Sequence, residues 1–401
     1  MYRNLKTVKF FIKSNFKYLL APIFIFAGTF FVDPLFNIAA NSDTIPYYQC
    51  LFVLCTIFFY SPKLLLRKTN NTAVSNWIMF ILLYAIIISQ VSILNKISFL
   101  IVIIFSKIIS DIRNYKKYYL KIFSFTLSYL ILCVLIYATR LIMYDFDLFK
   151  VRGGMNIWGG NSLIMVIQLF VCIQILFKKS RKEILFSIII LLTISIIFIS
   201  RTAIISSLII FIIYFYSYLK QNFWKSILFS LFGIFLIYNY FINSSLLEMI
   251  THRYSTFDLS QANSTFSLLE SVSLDRANLW AQVFNVMSEN PLGIGVDSFN
   301  LFSKYSTPHN ILLDNIIIAG YFFGMILNII LISPLFIFLK LKMKKNKLLI
   351  IIVYSSFLVT AIFSGAKFIQ ASGYVSSFIL LYFLALYNTI NLSRKNNFRN
   401  D

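Results

Sequence analysis

His309 is one of two histidines in a chain of 401 residues. It stands in the stretch STPHNILLDNIIIAG, after Pro308 and at the head of an apolar run that continues to Phe338. A free imidazole titrates near 6.5, so at neutral pH it can accept a proton from a hydroxyl. Asp314 lies five residues on and could orient the ring, although helical spacing makes that pairing loose. A histidine at a helix start also serves as a cap or a packed ring, and His252, in THRYS, reads as a surface loop residue. The second group able to do chemistry is made of arginines: Arg140, Arg152, Arg201, Arg253 and Arg276. A guanidinium holds phosphate oxygens as a rigid fork and stays charged throughout the accessible pH range. The blander reading is snorkelling or ion pairing, with Asp145, Asp147 and Asp297 as partners. Asp145–Asp147 (DFD) and Pro291–Gly295 (PLGIG) match short motifs, but no Lys-Ser/Thr follows the latter as a phosphate loop requires.

The elements that must position these residues are membrane helices. The chain is 59% hydrophobic and 12% charged, with a mean hydropathy of +0.81. A soluble domain of this size has no interior large enough for that much apolar surface. Runs of about 20 apolar residues recur, each long enough to span a bilayer. They predict an all-α, polytopic integral membrane protein of about 12 transmembrane helices, at about 18–38, 46–61, 76–93, 95–110, 119–143, 161–177, 184–199, 202–219, 225–243, 311–339, 348–364 and 373–391. The basic N-terminus leads into an apolar run without a small-residue cleavage pattern, which predicts a retained first helix. Cys50, Cys55, Cys133 and Cys172 lie in or beside apolar runs, without CxxC spacing, and read as core filler.

The net charge of +22 would suit a nucleic-acid binder, but its distribution excludes that reading. With both termini cytoplasmic, most basic residues fall in alternate loops: Lys63–Lys68, Arg113–Lys121, Lys178–Lys182, Lys220–Lys225, Lys340–Lys347 and the two tails. Only Asp111, Glu183 and Asp401 accompany them. This is the positive-inside pattern, so the charge reports topology and contact with anionic lipid heads. The apolar run Ile184–Lys220 would be about 50 Å as one helix, too long for a bilayer. Both its flanks are basic, so it must cross twice and put Ser200–Thr202, with Arg201, at an outer turn. The organisation expected is nine spans in 1–243, one long outer loop in 244–310, and three spans with a cytoplasmic tail in 311–401. Within the loop, DRANLWAQVFNVMSEN predicts an amphipathic helix with Leu279, Trp280, Val283, Phe284 and Met287 on one stripe. Asp275 is its expected N-cap, Pro291 follows its end, and its apolar face would meet the membrane surface or the bundle.

Four blocks in this order resemble the bacterial O-antigen polymerase and ligase superfamily. VRGGMNIWGGNS resembles its Arg-Gly segment, with Arg152 and Asn161; SRTAIISSLIIF resembles its Ser-Arg helix junction, with Arg201. DRANLWAQVFNVMSENPLGIGVDSF resembles its Arg-x3-Trp helix and Pro-Leu-Gly-x-Gly turn, with Arg276 and Trp280. PHNILLDNIIIAGYFFG resembles its His-Asn block, with His309, Asn310, Gly320 and Gly324. The family often carries an acid just before the first glycine of that block; here the nearest is Asp314.

The resemblance implies a GT-C-like glycosyltransferase of the bacterial cytoplasmic (inner) membrane with a periplasmic active site. Its donor would be an undecaprenyl-diphosphate-linked glycan. Its acceptor would be the sugar hydroxyl of another lipid-linked repeat unit for a polymerase, or lipid A–core for a ligase. A chain-length regulator and membrane lipids would be further partners, with no cofactor, no metal and no nucleic acid. In the expected assignment His309 is the base, standing at the outer mouth of the tenth span, and Arg201 and Arg276 hold the diphosphate. Arg152, Arg253 and Arg140 would help hold the donor, with Asn310, Asp314 and Trp280 beside it. The third reading, a flippase for the same lipid-linked unit, lacks the internal repeat expected of a transporter.

Overall fold

A helix that is apolar all round has no face to give to water and packs in the interior. Gly160–Leu176 is such a helix: every residue from Ile164 to Leu176 is buried. The computed structural model that shows this describes residues 73–110, 160–177, 181–197, 201–219, 279–296, 298–303, 308, 310–341, 347–364 and 374–397. Among the described residues the chain is all-helical, without strands. In chain order the helices are α1 (Ala73–Ile88), α2 (Ile93–Ser110), α3 (Gly160–Leu176), α4 (Arg181–Ile197), α5 (Arg201–Leu219), α6 (279–289), α7 (Ile311–Lys340), α8 (Lys347–Ser364) and α9 (Tyr374–Asn397). A 3-10 turn, Phe299–Leu301, lies between α6 and α7. The expected spans at 18–38, 46–61, 119–143 and 225–243 lie outside the described residues.

α3 packs against α4, α8 and α9, and α9 in turn against α2. The Phe170 ring meets the edge of Tyr382 at 6.2 Å. A polar contact crosses the same core, where Gln168 Nε2 donates to Ser356 Oγ at 2.7 Å and to Thr360 Oγ1 at 3.2 Å. α4 and α5 form the hairpin expected of the Ile184–Lys220 run. Ser195 and Ser207 meet hydroxyl to hydroxyl at 2.9 Å, whereas twelve residues of straight helix would hold them about 18 Å apart.

The largest departure from expectation is in α7. Its thirty residues are apolar and long enough, by length and composition, to cross a membrane. They are not one rod, and the expectation of a single span over 311–339 is corrected here. At Gly320 the backbone leaves the helix, with φ 79° and ψ 171°. Asn328 Nδ2 donates to Leu312 O at 3.0 Å, and Asn315 Nδ2 donates to Asn328 Oδ1 at 2.9 Å. An added Cβ on Gly324 would lie 2.5 Å from Ile316 Cα. These contacts require residues 311–319 (α7a) to fold back along the first turns of 321–340 (α7b). The physical reason is that a glycine at 320 takes the positive φ without a Cβ penalty, while Gly324 lets the two backbones close.

α7b is then twenty residues, about 30 Å, which matches one hydrocarbon thickness. Its outer row, Phe322, Met325, Ile329 and Phe336, is exposed, the pattern of a helix whose free face meets hydrocarbon rather than water. α7 packs against α1 and α8. Tyr354 OH donates to Leu331 O at 2.5 Å, and Tyr387 OH donates to Ile330 O at 2.5 Å.

Candidate functional site

The site is built where α6, the following turn and α7a meet. Leu279, Val283, Val286 and Met287 on α6 are buried with Ile294, Phe299 and Ile317, and Leu313 and Ile316 pack against them. The apolar face of α6 is thus turned to α7a. The expected stripe is corrected at one position: Phe284 is 54% exposed, and Val286 takes the buried place. The residues 279, 283, 286 and 287 follow helical spacing more closely than the expected set.

After α6 the chain turns through Pro291–Val296 and docks backbone to backbone on the α7 break. Ile294 N donates to Ile317 O at 2.9 Å, and Tyr321 N donates to Pro291 O at 3.1 Å. No side chain fits between the two segments. A Cβ added at Gly320 would lie 2.5 Å from the Leu292 carbonyl carbon, and one added at Gly293 would overlap the Gly320 nitrogen. The two glycine-bearing blocks recognised separately in the sequence are therefore halves of one joint. The far side of the turn is gripped by α1. Val296 N donates to Ala85 O at 3.3 Å, Ser89 Oγ donates to Val296 O at 2.6 Å, and Tyr84 OH donates to Leu292 O at 2.8 Å.

This joint sets the start of α7a. Asn310 is its N-cap, its Oδ1 accepting from Leu312 N at 2.9 Å and Leu313 N at 3.4 Å. Capping by asparagine satisfies two of the helix's orphan donors. Trp280 Nε1, on the first described turn of α6, donates to Pro308 O at 3.1 Å. This bond fixes the residue on one side of position 309, while the Asn310 cap fixes the other. Asp314 is 2% exposed, in the first turn of α7a, where the helix dipole favours a carboxylate. Because α7a folds back, its first turn lies alongside α7b, where Asn328 Nδ2 reaches Leu312 O at 3.0 Å. The helix is therefore not the straight span expected, and His309, the residue expected at its outer mouth, lies outside the described residues.

Of the expected site residues, the structure therefore gathers Trp280, Asn310 and Asp314 at one end of α7a. Arg201 opens α5, with its side chain outside the described residues. His309, Arg276, Arg152, Arg253 and Arg140 lie outside the described residues. Sequence reasoning missed Ser89 and Tyr84, which lie some two hundred positions from the turn they hold. It also missed the Asn315–Asn328 pair. The spacing Gly320-x3-Gly324 was the available signal for close backbone approach.

Residues 185–329 match the family described as O-antigen ligase. The resemblance to the O-antigen polymerase and ligase superfamily is shown over that stretch. The match stops short of half the chain. It runs from α4 through α6 and the turn into α7b, and it takes in Arg201, Arg253, Arg276, Trp280, His309, Asn310, Asp314 and the glycines of the joint. Arg140, Arg152 and the whole of α1 lie before it. No curated protein and no solved structure matches the chain. The O-antigen ligase-like stretch thus contains both sides of the glycine joint, but the α1 residues that hold the joint belong to another part of the molecule.

Proposed function

We propose that this chain is a membrane glycosyltransferase of surface polysaccharide synthesis. It moves a glycan from an undecaprenyl-diphosphate donor to the sugar hydroxyl of another lipid-linked repeat unit, on the periplasmic face of the bacterial inner membrane. One observation carries the reading. Two of the superfamily's blocks, far enough apart to be recognised separately, form a single joint that brackets position 309 between Trp280 and Asn310.

The twelve-span topology with cytoplasmic termini is part of the proposal. The turn Pro291–Val296, the end of α1 and the Gly320 break meet at one end of α7b, while the basic segment Lys340–Lys347 lies at its other end. Two segments read as outer, the end of α1 and the Pro291–Val296 turn, thus meet the Gly320 break, and a segment read as cytoplasmic is about 30 Å away along the helix.

The donor carries its own leaving group. In the proposed step the acceptor hydroxyl oxygen attacks the anomeric carbon as the bond to the diphosphate oxygen breaks. His309 takes the hydroxyl proton, the sugar configuration inverts, and undecaprenyl diphosphate leaves with the bonding electron pair. Arg201 and Arg276 stabilise the charge that grows on the diphosphate, so the step is written without a metal. Arg152, Arg253 and Arg140 hold the donor, and Asp314 lies one helical turn beyond the cap. A chain-length regulator would act on the same product. Transfer to lipid A–core is the second reading, favoured by the family description itself.

The test is a gel of surface polysaccharide from cells deleted for this gene, beside complemented cells. Core bearing a single repeat unit supports a polymerase. Bare core, with polymer held on the lipid carrier, supports a ligase. An unchanged ladder rejects both and leaves transport of the lipid-linked unit. Complementation by His309→Ala is expected to lose about 10²–10⁴-fold in rate, as removal of a general base does; near-normal polymer would remove His309 from the mechanism.

A further inference from the structure

α1 and Ser89, which follows it, lie outside the matched stretch, yet they bond directly to the Pro291–Val296 turn. Ser89 is 3% exposed. Its hydroxyl donates to Val296 O at 2.6 Å and lies 3.4 Å from Ser298 Oγ, which also meets Gln90 N at 3.3 Å. Gly295 has φ 84°, and a Cβ there would lie 2.7 Å from Ser89 Cβ and overlap the Ser89 backbone. The end of α1 therefore fits the turn at a position where neither partner can carry a larger group. The turn, through Ile294 N and Pro291 O, holds the break between Ile317 and Tyr321. The break fixes the direction of α7a and so the place of Asn310. Short polar contacts thus run from Ser89 through the turn to Ile317 and Tyr321, on either side of the break that ends α7a, without passing through any residue assigned to the chemistry.

We propose that Ser89 is a positioning residue for glycan transfer: its hydroxyl holds the Pro291–Val296 turn so that α7a presents its first residues at the depth where donor and acceptor meet. The inference rests on the transferase reading above. Ser89 touches no substrate; it acts through the turn. Its removal should lower turnover more than donor binding, because the displaced group is the one whose geometry matters at the reacting atoms.

The test uses the full-length protein in purified membranes. The probe is the lipid-linked repeat unit isolated from cells deleted for this gene. Ser89→Ala is expected to lower kcat about five- to tenfold with KM within about twofold, a fraction of the loss that an ångström of misplacement brings. A second variant separates positioning from simple loss of fold. Ser89→Cys with Ser298→Cys places two thiols at positions whose oxygens are 3.4 Å apart, and a disulfide can close that gap. Oxidation should raise the turnover of this variant toward that of the native protein, and a reductant should lower it again. Each single cysteine variant should show neither response.

If Ser89→Ala keeps native kcat while His309→Ala is inactive, the positioning role is wrong and the transferase reading stands. The same holds if oxidation of the cysteine pair leaves turnover low. If His309→Ala also keeps native turnover, the transferase reading fails first and the proposal falls with it.

Discussion

α3 and α7 are both apolar helices of one bundle, and they are held by different physics. α3 is covered on every side by bulk: Ile164, Ile167, Leu169, Val171 and Ile175 are fully buried between α4, α8 and α9. Dispersion and area burial act there without direction, so a small loss of volume is shared among many neighbours. The Gly320 end of α7 is held by close approach at Gly293, Gly295, Gly320 and Gly324, where the nearest atoms are backbone. The first kind of packing builds a scaffold. The second fixes one short helix, α7a, at one angle against its neighbours.

A single carbon tests the comparison most directly. Gly320→Ala adds one carbon at φ 79°, 2.5 Å from the Leu292 carbonyl carbon. Strain at a positive φ costs about 1–3 kcal/mol, and overpacking adds about 1–3 more. The expected outcome is loss of surface polymer together with a clear fall in the thermal midpoint of the purified protein. Ile167→Val removes one carbon from α3, at 0% exposure. It should cost about 0.5–1.5 kcal/mol and leave polymer near normal. Equal effects from the two substitutions would erase the distinction between the regions.

How far the sequence revealed these two regions follows the same line. Helix positions in α1, α2, α3, α4, α5, α8 and α9 agree with the apolar runs within a few residues, because burial and membrane thickness both act through bulk hydrophobicity. The length argument that split Ile184–Lys220 applies equally to Ile311–Lys340. Thirty residues make about 45 Å, again too long for one upright span, yet the run reads as one because no basic residue stands between Ile311 and Leu339. The break is carried by one glycine and two asparagines, which hydropathy does not register. The same reason hid Ser89 and Tyr84, whose role lies in contacts over two hundred residues away. Trp280 is legible on the apolar stripe of its helix and Asn310 through the resemblance of its block, and the structure brings them to either side of position 309 through Pro308.

Gln174 sharpens the comparison from the scaffold side. It is fully buried in α3, and among the described residues neither its Nε2 nor its Oε1 has a hydrogen-bond partner. An unpaired buried amide costs about 1–3 kcal/mol by mutational measures. Gln174→Met keeps the length and removes the unmet polar atoms. The expected result is a thermal midpoint raised by an amount corresponding to about 1–2 kcal/mol, with polymer unchanged. A lowered midpoint would show that this amide, like Gln168 with Ser356 and Thr360, adds polar contacts to the bulk that holds α3.

The cap of α7a comes next. Asn310→Ala removes the acceptor of Leu312 N and Leu313 N and should cost about 1 kcal/mol, with replacement by Asp or Ser recovering most of it. The functional part of the effect should exceed the stability part, because fraying begins at the residue next to His309. A variant that loses stability but keeps its rate would argue that the start of α7a tolerates movement.

Trp280→Phe is the smallest change argued here and the most specific. It keeps an aromatic ring on α6 and deletes only the Nε1 donor to Pro308 O, a bond of 3.1 Å. A hydrogen bond of this kind contributes about 0.5–1.5 kcal/mol net, so the thermal midpoint should barely move. Leu279, Val283 and Met287 still hold α6 against α7a. The segment before Asn310, however, loses its one described side-chain anchor to α6. Turnover should therefore fall a few-fold while helix packing and protein yield stay native, which separates the placement of position 309 from the stability of the fold around it.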